Sequence, residues 1–269
     1  MAFMVLKVYD LEQPRIHGMP IHPVHKPVGF TYVLHRKHSD APVSNKRSSA
    51  SGVLMMTEHT GTHIDALCHQ ALNHELNGII KVTPEIETPY GFTVHGIEKV
   101  RPIVTRGILL DVAGCKGMSI LPERYRISTG DLQKCCEDEG LKPRRGDVML
   151  VRTGYGTTWN APGGYELAAG VSLEATQWAA SEGVCCVGAD NMAWEVDDGQ
   201  IDEEMGVTLP CHVLLLVKKG IYIIENLRLE ELSFDKTYEF LFVCSPLKIV
   251  GATGSPVRPI AVTGVDGFK

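Results

Sequence analysis

The chain has 269 residues, 44% of them hydrophobic, and a net charge of −6 with the charges scattered along its length. That is enough sequence to bury a core as a single domain over 1–269, and the lack of a basic stripe argues against nucleic acid and anionic membrane as partners. No run of about 18 apolar residues occurs, so no transmembrane helix is expected, and the opening MAFMVLKVYDLEQ lacks the basic and apolar regions of a signal peptide, which points to the cytoplasm.

In chain order, the first feature is a set of histidines, His17, His22, His25, His35 and His38. It spreads over 22 residues, has no carboxylate before Asp40, and is broken by Pro20, Pro23 and Pro27, so it does not read as a metal site. Residues 37–51 are polar and serine-rich and read as a surface loop. The stretch from His59 to His69, HTGTHIDALCH, is different: three histidines and one aspartate fall within eleven residues. Neutral imidazole with carboxylate suits zinc or manganese. Gly61 lets the backbone bend, and Thr60 and Thr62 can bond it locally. His59, His63 and Asp65 are the expected ligands. A strand ending near His59, a turn through Gly61 and Thr62, and a helix starting near His63 would set Asp65 and His69 one helical turn apart. The pair His74-Glu75 opens like a zinc-protease motif, but Gly78 stands where its second histidine belongs.

Residues 107–112, 148–153, 184–189, 221–224 and 238–244 are short apolar runs rich in β-branched or aromatic side chains, and read as strands. Residues 128–139 and 172–181 open on a serine cap, carry acids in the first turn, and end near Gly140 and Gly183, which predicts helices. A further helix is expected over 212–219, ending at Gly220 with lysines suited to the dipole. The alternation supports an α/β or mixed α+β fold around a buried sheet. Gly154-Tyr155-Gly156 lacks the third glycine of a dinucleotide loop, so no organic cofactor is expected. The eight cysteines contain no Cys-x-x-Cys, and the adjacent pairs Cys135-Cys136 and Cys185-Cys186 make neither an easy disulfide nor a thiolate clamp. Cys68 and Cys211 read as small wall residues. Tyr155, Trp159 and Trp194 read as core or interface, with an aromatic wall of the site as the alternative. His212 opens its helix and Glu225 ends the apolar strand IYII; for both, a structural and a site role stay open on local grounds.

These motifs resemble the metal-dependent cyclase family, which includes bacterial kynurenine formamidases and isatin hydrolases. The signature His-x-Gly-Thr-His-x-Asp-x-x-x-His is matched from His59 to His69. DLEQPRIHGMPIHP from Asp10 resembles the family's opening, Val151-Arg152-Thr153-Gly154 its central strand, and Gly254-Ser255-Pro256-Val257-Arg258-Pro259 its closing segment. Gly188-Ala189-Asp190, Leu209-Pro210-Cys211-His212 and Glu225-Asn226-Leu227 follow in the family's order. One departure is Leu67-Cys68-His69 where many formamidases have Pro-x-His, which looks closer to the isatin-hydrolase side.

The resemblance implies a mixed sheet with a barrel-like core surrounded by helices, of the swivelling β/β/α type. It brings His212 and Glu225 to the metal centre beside His59, His63, Asp65 and His69, with one or two zinc or manganese ions. His69 is the expected general acid/base, and Glu225 either helps hold a second ion or orients substrate and water. Metal-bound hydroxide would then attack an amide or lactam C–N carbonyl, as in N-formylkynurenine or isatin, while the ion stabilises the oxyanion. A lactone hydrolase of the same family and a non-catalytic small-molecule or metal-binding protein are the alternatives; an acid/base histidine beside a full ligand set argues against the second. A homodimer or homotetramer is the expected assembly.

Overall fold

The apolar runs read as strands become neighbours in one sheet. The computed structural model describes residues 6–42, 44, 46–161 and 163–265, so the first five residues of the segment read for a signal peptide, and two positions of the 37–51 loop, lie outside the described residues. The sheet strands are β1 (Lys7–Asp10), β4 (His63–Asp65), β5 (Ile103–Leu110), β6 (Val148–Val151), β7 (Cys186–Ala189), β8 (Tyr222–Glu225), β9 (Glu239–Cys244), β10 (Gly254–Pro256) and β11 (Ile260–Thr263). Their order is β1-β11-β9-β5-β6-β7-β8-β4-β10. The four central strands β5 to β8 run parallel, and the flanking pairs are antiparallel. The whole is a mixed sheet curled as a half-barrel, with helices packed on it.

Strands covered on both faces must be apolar at every position, and β6 and β7 are buried throughout. Ile108 and Leu110 face one core with Met149, Val151 and Val187, against Leu132 and Cys135 of α2 (Thr129–Asp138) and Ala175 and Ala179 of α3 (Leu173–Ser181). Leu109 and Leu150 face the other, with Ile224, Phe240 and Phe242. Each fully buried side chain of this kind contributes roughly 1.5–3 kcal/mol. Helix α2 starts where predicted: the Ser128 hydroxyl accepts from Asp131 N–H, Asp131 accepts back, and Gly140 at φ +67° ends it. Helix α3 is capped by Ser172, whose hydroxyl accepts from the Ala175 N–H without a reciprocal bond. The third predicted helix begins two residues early, as α4 (Pro210–His212), and continues as a π-helix over Val213–Lys219 to Gly220. No helix among the described residues is long and apolar enough to cross a membrane.

One expectation fails. No helix starts at His63; residues His63–Asp65 are a strand inserted between β8 and β10, with Ile64 opposite both Ile224 and Ser255. Hydrogen bonding on both edges outweighs the modest helix preference of the Asp-Ala-Leu composition. Outside the sheet, β2 (Phe30–Arg36) and β3 (Ser51–Met56) form a separate antiparallel hairpin.

Candidate metal centre

The strand assignment is what makes the site. With a side-chain period of two, His63 and Asp65 share one face of β4 while Ile64 enters the core on the other. Glu225, the last residue of β8, is the direct cross-strand partner of His63. Carboxyl ends of parallel strands are where open α/β sheets gather ligands. His59 stands in the turn before β4, and His212 ends α4.

All six predicted residues meet there. His59 Nδ1 lies 2.8 Å from Asp65 Oδ1. His63 Nε2 is 3.5 Å from Asp65 Oδ1 and 3.4 Å from Glu225 Oε2. His212 Nε2 is 3.1 Å from Glu225 Oε1 and 3.7 Å from Asp65 Oδ2. His69 stacks on the His59 ring with centroids 4.0 Å apart. The ligand atoms of His59, Asp65 and His69 lie within 4.8 Å of one another, as do those of Asp65, His212 and Glu225. Asp65 belongs to both groups and stands between them.

The outer nitrogens of three imidazoles are already engaged. His63 Nδ1 donates to the Gly61 carbonyl at 2.8 Å, an oxygen that can only accept. His59 Nε2 donates at 2.8 Å to Thr253 Oγ1, whose own proton goes to Glu58 Oε1. His212 Nδ1 donates to Glu195 Oε1 at 2.8 Å, and the backbone N–H groups of Cys211 and His212 hold the same carboxylate. In its neutral form each of these rings would therefore present an unprotonated inner nitrogen. Outer contacts of this kind fix tautomer and ring orientation in metal-binding histidines.

The inner atoms lack what the outer ones have. His59 Nδ1 and both oxygens of Asp65 are buried with no hydrogen-bond partner, because the short His59–Asp65 contact is out of line. A buried polar atom left unpaired costs roughly 1–3 kcal/mol, so three of them within this cluster mark a place for a cation. The charges agree. Burial pushes the Glu225 carboxyl up to about 7 and the His63 imidazole down to about 3. Burial also holds His69 well below the usual histidine range. Burial opposes ionisation of Asp65, but His69 and the other imidazoles overcome it and keep the group well below the usual carboxylate range. His59 and His212 go the other way: burial opposes their charging, but Asp65 raises His59, and Glu195 and Glu225 raise His212 well above the usual histidine range, so a divalent ion binding there would displace a proton from each ring. The donor set fits such an ion.

Local backbone holds these groups in place. Gly61 has φ +71°, and a Cβ there would lie 2.1 Å from Arg15 Nη1. Arg15 grips the Thr60 and Thr62 carbonyls on either side. A Cβ on Gly254 would come within 2.6 Å of His59 Cε1. Trp194, Leu209 and Asn226 all adopt left-handed backbone at φ between +50° and +57°. They flank Glu195, the Pro210–His212 turn and Glu225, and such strain gathers where a site over-determines the backbone.

The centre opens into a cavity of about 150 Å³ walled by Ile21, Val24, His25, Met192, Ala193 and Leu209. A larger cavity of about 460 Å³ lies behind Glu195, walled by acids including Asp197, Asp198 and Asp202. It contains none of the six clustered residues, so the smaller cavity is the candidate substrate space. Tyr155, Trp159 and Trp194 do not wall it; each is buried in the core, and the two indoles donate to Pro14 O and Thr176 Oγ1.

Three residues escaped the sequence reading. Glu195 orients His212. His25 stacks on His59 with centroids 5.1 Å apart, and burial together with His59 pushes its imidazole down to about 4. His22 lines the same cavity and bonds Asp197 at 2.8 Å. The segment whose prolines made it look unlike a site thus lies in part over the centre, whereas His35 and His38 stay exposed.

A mixed sheet with buried imidazoles and carboxylates at its strand ends defines an α/β protein built around a candidate metal centre. The family model for cyclases matches residues 9–196, and the chain belongs to the cyclase family. "Cyclase-like protein 2" of Oryza sativa subsp. japonica is 25% identical over 232 residues, covering 82% of this chain and 71% of that protein. A crystal structure of a cyclase superposes with TM-score 0.82 at 28% identity, over 95% of this chain and 86% of that one. Isatin hydrolase A from Ralstonia solanacearum shares the fold at TM-score 0.70 and 20% identity, over 96% and 92% of the two chains. The family match ends one residue after Glu195, so His212 and Glu225 join the centre by geometry rather than by that match.

Proposed function

We propose that the protein is a divalent-metal-dependent hydrolase that opens the amide or lactam C–N bond of a small planar aromatic compound such as isatin or N-formylkynurenine. The observation that carries this reading is the set of buried inner donors, His59 Nδ1 and both Asp65 oxygens, left without partners while the outer nitrogens are held. His59, His63, Asp65, His212 and Glu225 would hold zinc or manganese, as one or two ions. When bound, such an ion acidifies water towards a pKa of about 7 and polarises a carbonyl.

The side chains divide the remaining work. His69 is held by ring stacking and faces the cavity, so its nitrogens are free to take the proton of the attacking water and pass one to the leaving nitrogen. Glu225, pushed up to about 7 by burial, can accept a proton near neutral pH and orient the water. Ile21, Val24 and Met192 give a flat substrate an apolar wall, and His25 adds a ring face. A homodimer or homotetramer is part of the same reading: the hairpin exposes Tyr32, Val33, Leu34, Val53, Leu54 and Met55, and exposed apolar surface of this kind favours a contact.

The test is hydrolysis by the metal-loaded protein of isatin, N-formylkynurenine and a small lactone panel, before and after prolonged chelation. Turnover of a C–N substrate that is lost on chelation and restored by zinc or manganese supports the reading. Turnover of lactones alone moves the substrate class, and full activity in protein shown to be metal-free by elemental analysis overturns the reading.

A further inference from the structure

A second cluster of ligating side chains lies apart from the imidazole centre. Cys115 closes the one-turn helix α1 (Val112–Cys115), and Cys135 and Glu139 stand one turn apart at the end of α2. One ligand atom from each of the three lies within 4.8 Å of the others. Cys115 Sγ is 3.6 Å from Glu139 Oε1, which also accepts from the Asp111 N–H at 3.1 Å. Glu139 Oε2 is buried with no partner at all. Neither thiol is in a disulfide.

We propose that Cys115, Cys135 and Glu139 form a second metal site, for a thiophilic cation of the zinc or cadmium class, that clamps α1 to α2. Two sulfurs select such an ion over magnesium or calcium and set the site apart from the nitrogen and oxygen donors of the first centre. Tetrahedral zinc with bonds of about 2.3 Å to sulfur and 2.0–2.2 Å to oxygen needs its donors roughly 3.5–3.8 Å apart. The cluster reaches that by closing about 1 Å. Cys115 and Glu139 are only half-buried, so the ion has a way in.

The chemistry is simple ligand exchange. Burial pushes Cys115 up to about 11, Cys135 higher still, and Glu139 up to about 8, so without a cation the three donors sit largely protonated and neutral. On binding, each thiol gives its proton to solvent, two metal–sulfur bonds and one metal–oxygen bond form, and nothing is oxidised. Any proton on Glu139 leaves as well. Two thiolates, a carboxylate and a divalent ion leave one net negative charge, and a water completes four-coordination.

The experiment is a cadmium titration of the full-length, fully reduced, metal-stripped protein, followed by the sulfur-to-cadmium charge-transfer band in the ultraviolet. The first centre holds no thiolate and is silent in this readout. We expect the band to saturate at the amplitude of one two-thiolate site per chain, whatever further cadmium the silent first centre takes up, to vanish in Cys115→Ser and in Cys135→Ser, and to persist in Cys136→Ser. In the wild-type protein, bound cadmium should also protect Cys115 and Cys135 from alkylation, read by peptide mass spectrometry, which decides the matter should a serine variant fail to fold. No band in folded wild-type protein, or protection only of other cysteines, overturns the proposal.

Discussion

Glu225 Oε2 lies 3.4 Å from His63 Nε2, and the two residues are direct partners across the antiparallel pair β8–β4. Register therefore does what sequence separation hides: it sets a carboxylate that ends one strand against an imidazole that begins another. Slipping β4 by one residue would turn Ile64 into the site and bury His63 and Asp65 in the apolar core. The same pairing carries Asn226, whose side chain donates to the Gly61 carbonyl and so ties the strand end to the turn that holds His59.

Replacing Glu225 by glutamine keeps the shape of that pair and removes its charge. Turnover should fall by about 10²–10⁴-fold, the range for losing an acid/base group. Thermal stability near neutral pH should change little, because burial already pushes this carboxyl up to about 7. Steady-state kinetics beside a melting curve checks both; a variant that unfolds in step with its loss of activity would show that Glu225 is structural.

His63 and His69 should separate when each is changed to alanine. His63 touches both carboxylates of the centre, so His63→Ala should lose bound metal together with activity. His69 contributes its ring by stacking on His59, so His69→Ala should retain most of one metal equivalent while kcat falls about 10²–10⁴-fold. Elemental analysis alongside kcat makes the comparison, and unchanged turnover in His69→Ala would remove it from the mechanism.

How much of this was legible in the sequence depended on whether the warrant was local. His59, His63 and Asp65 announce themselves because ligating side chains, Gly61 and the threonines share one turn. The serine caps of α2 and α3 are equally local, and both helices start as predicted. The short strand at His63 is not local: Asp65-Ala66-Leu67 suits a helix until two neighbouring strands pair with it. His212 and Glu225 needed the family resemblance, since only tertiary register brings them to Asp65. Glu195 carried no signal, lying in a stretch with Asp197 and Asp198 where nothing adjacent marks it as the acid that turns inward.

Glu230 gives a pH prediction away from the centre. Burial and the nearby Asp190 push its carboxyl up to about 7 from an ordinary 4.5, while Arg152 Nε stands 3.7 Å away. A folded-state pKa raised in this way stabilises the protein fully below the ordinary value and loses that contribution as pH rises through about 7. Glu230→Gln cannot ionise, so wild type should lose about 1–3 kcal/mol relative to the variant between pH 4.5 and 7. Denaturant melts of both proteins at intervals across that range test it; parallel curves would show that Arg152 fully offsets the burial.

Glu195→Gln probes the contact behind His212. The wild-type carboxylate accepts from the His212 ring nitrogen and from two backbone N–H groups, which fixes the ring with its other nitrogen toward Glu225 and Asp65. Glutamine can keep part of this through its carbonyl oxygen, but its amide end cannot accept, so one of these bonds weakens or the side chain turns. Metal affinity should drop about 10–100-fold, the usual consequence of losing such an outer contact. KM for substrate should move much less, since Glu195 does not line the candidate substrate cavity. Competition against a chelator of known affinity measures the first and initial-rate kinetics at saturating metal the second. If Glu195→Gln holds its ion as tightly as wild type, the His212 ring is oriented by its own backbone and packing rather than by this carboxylate.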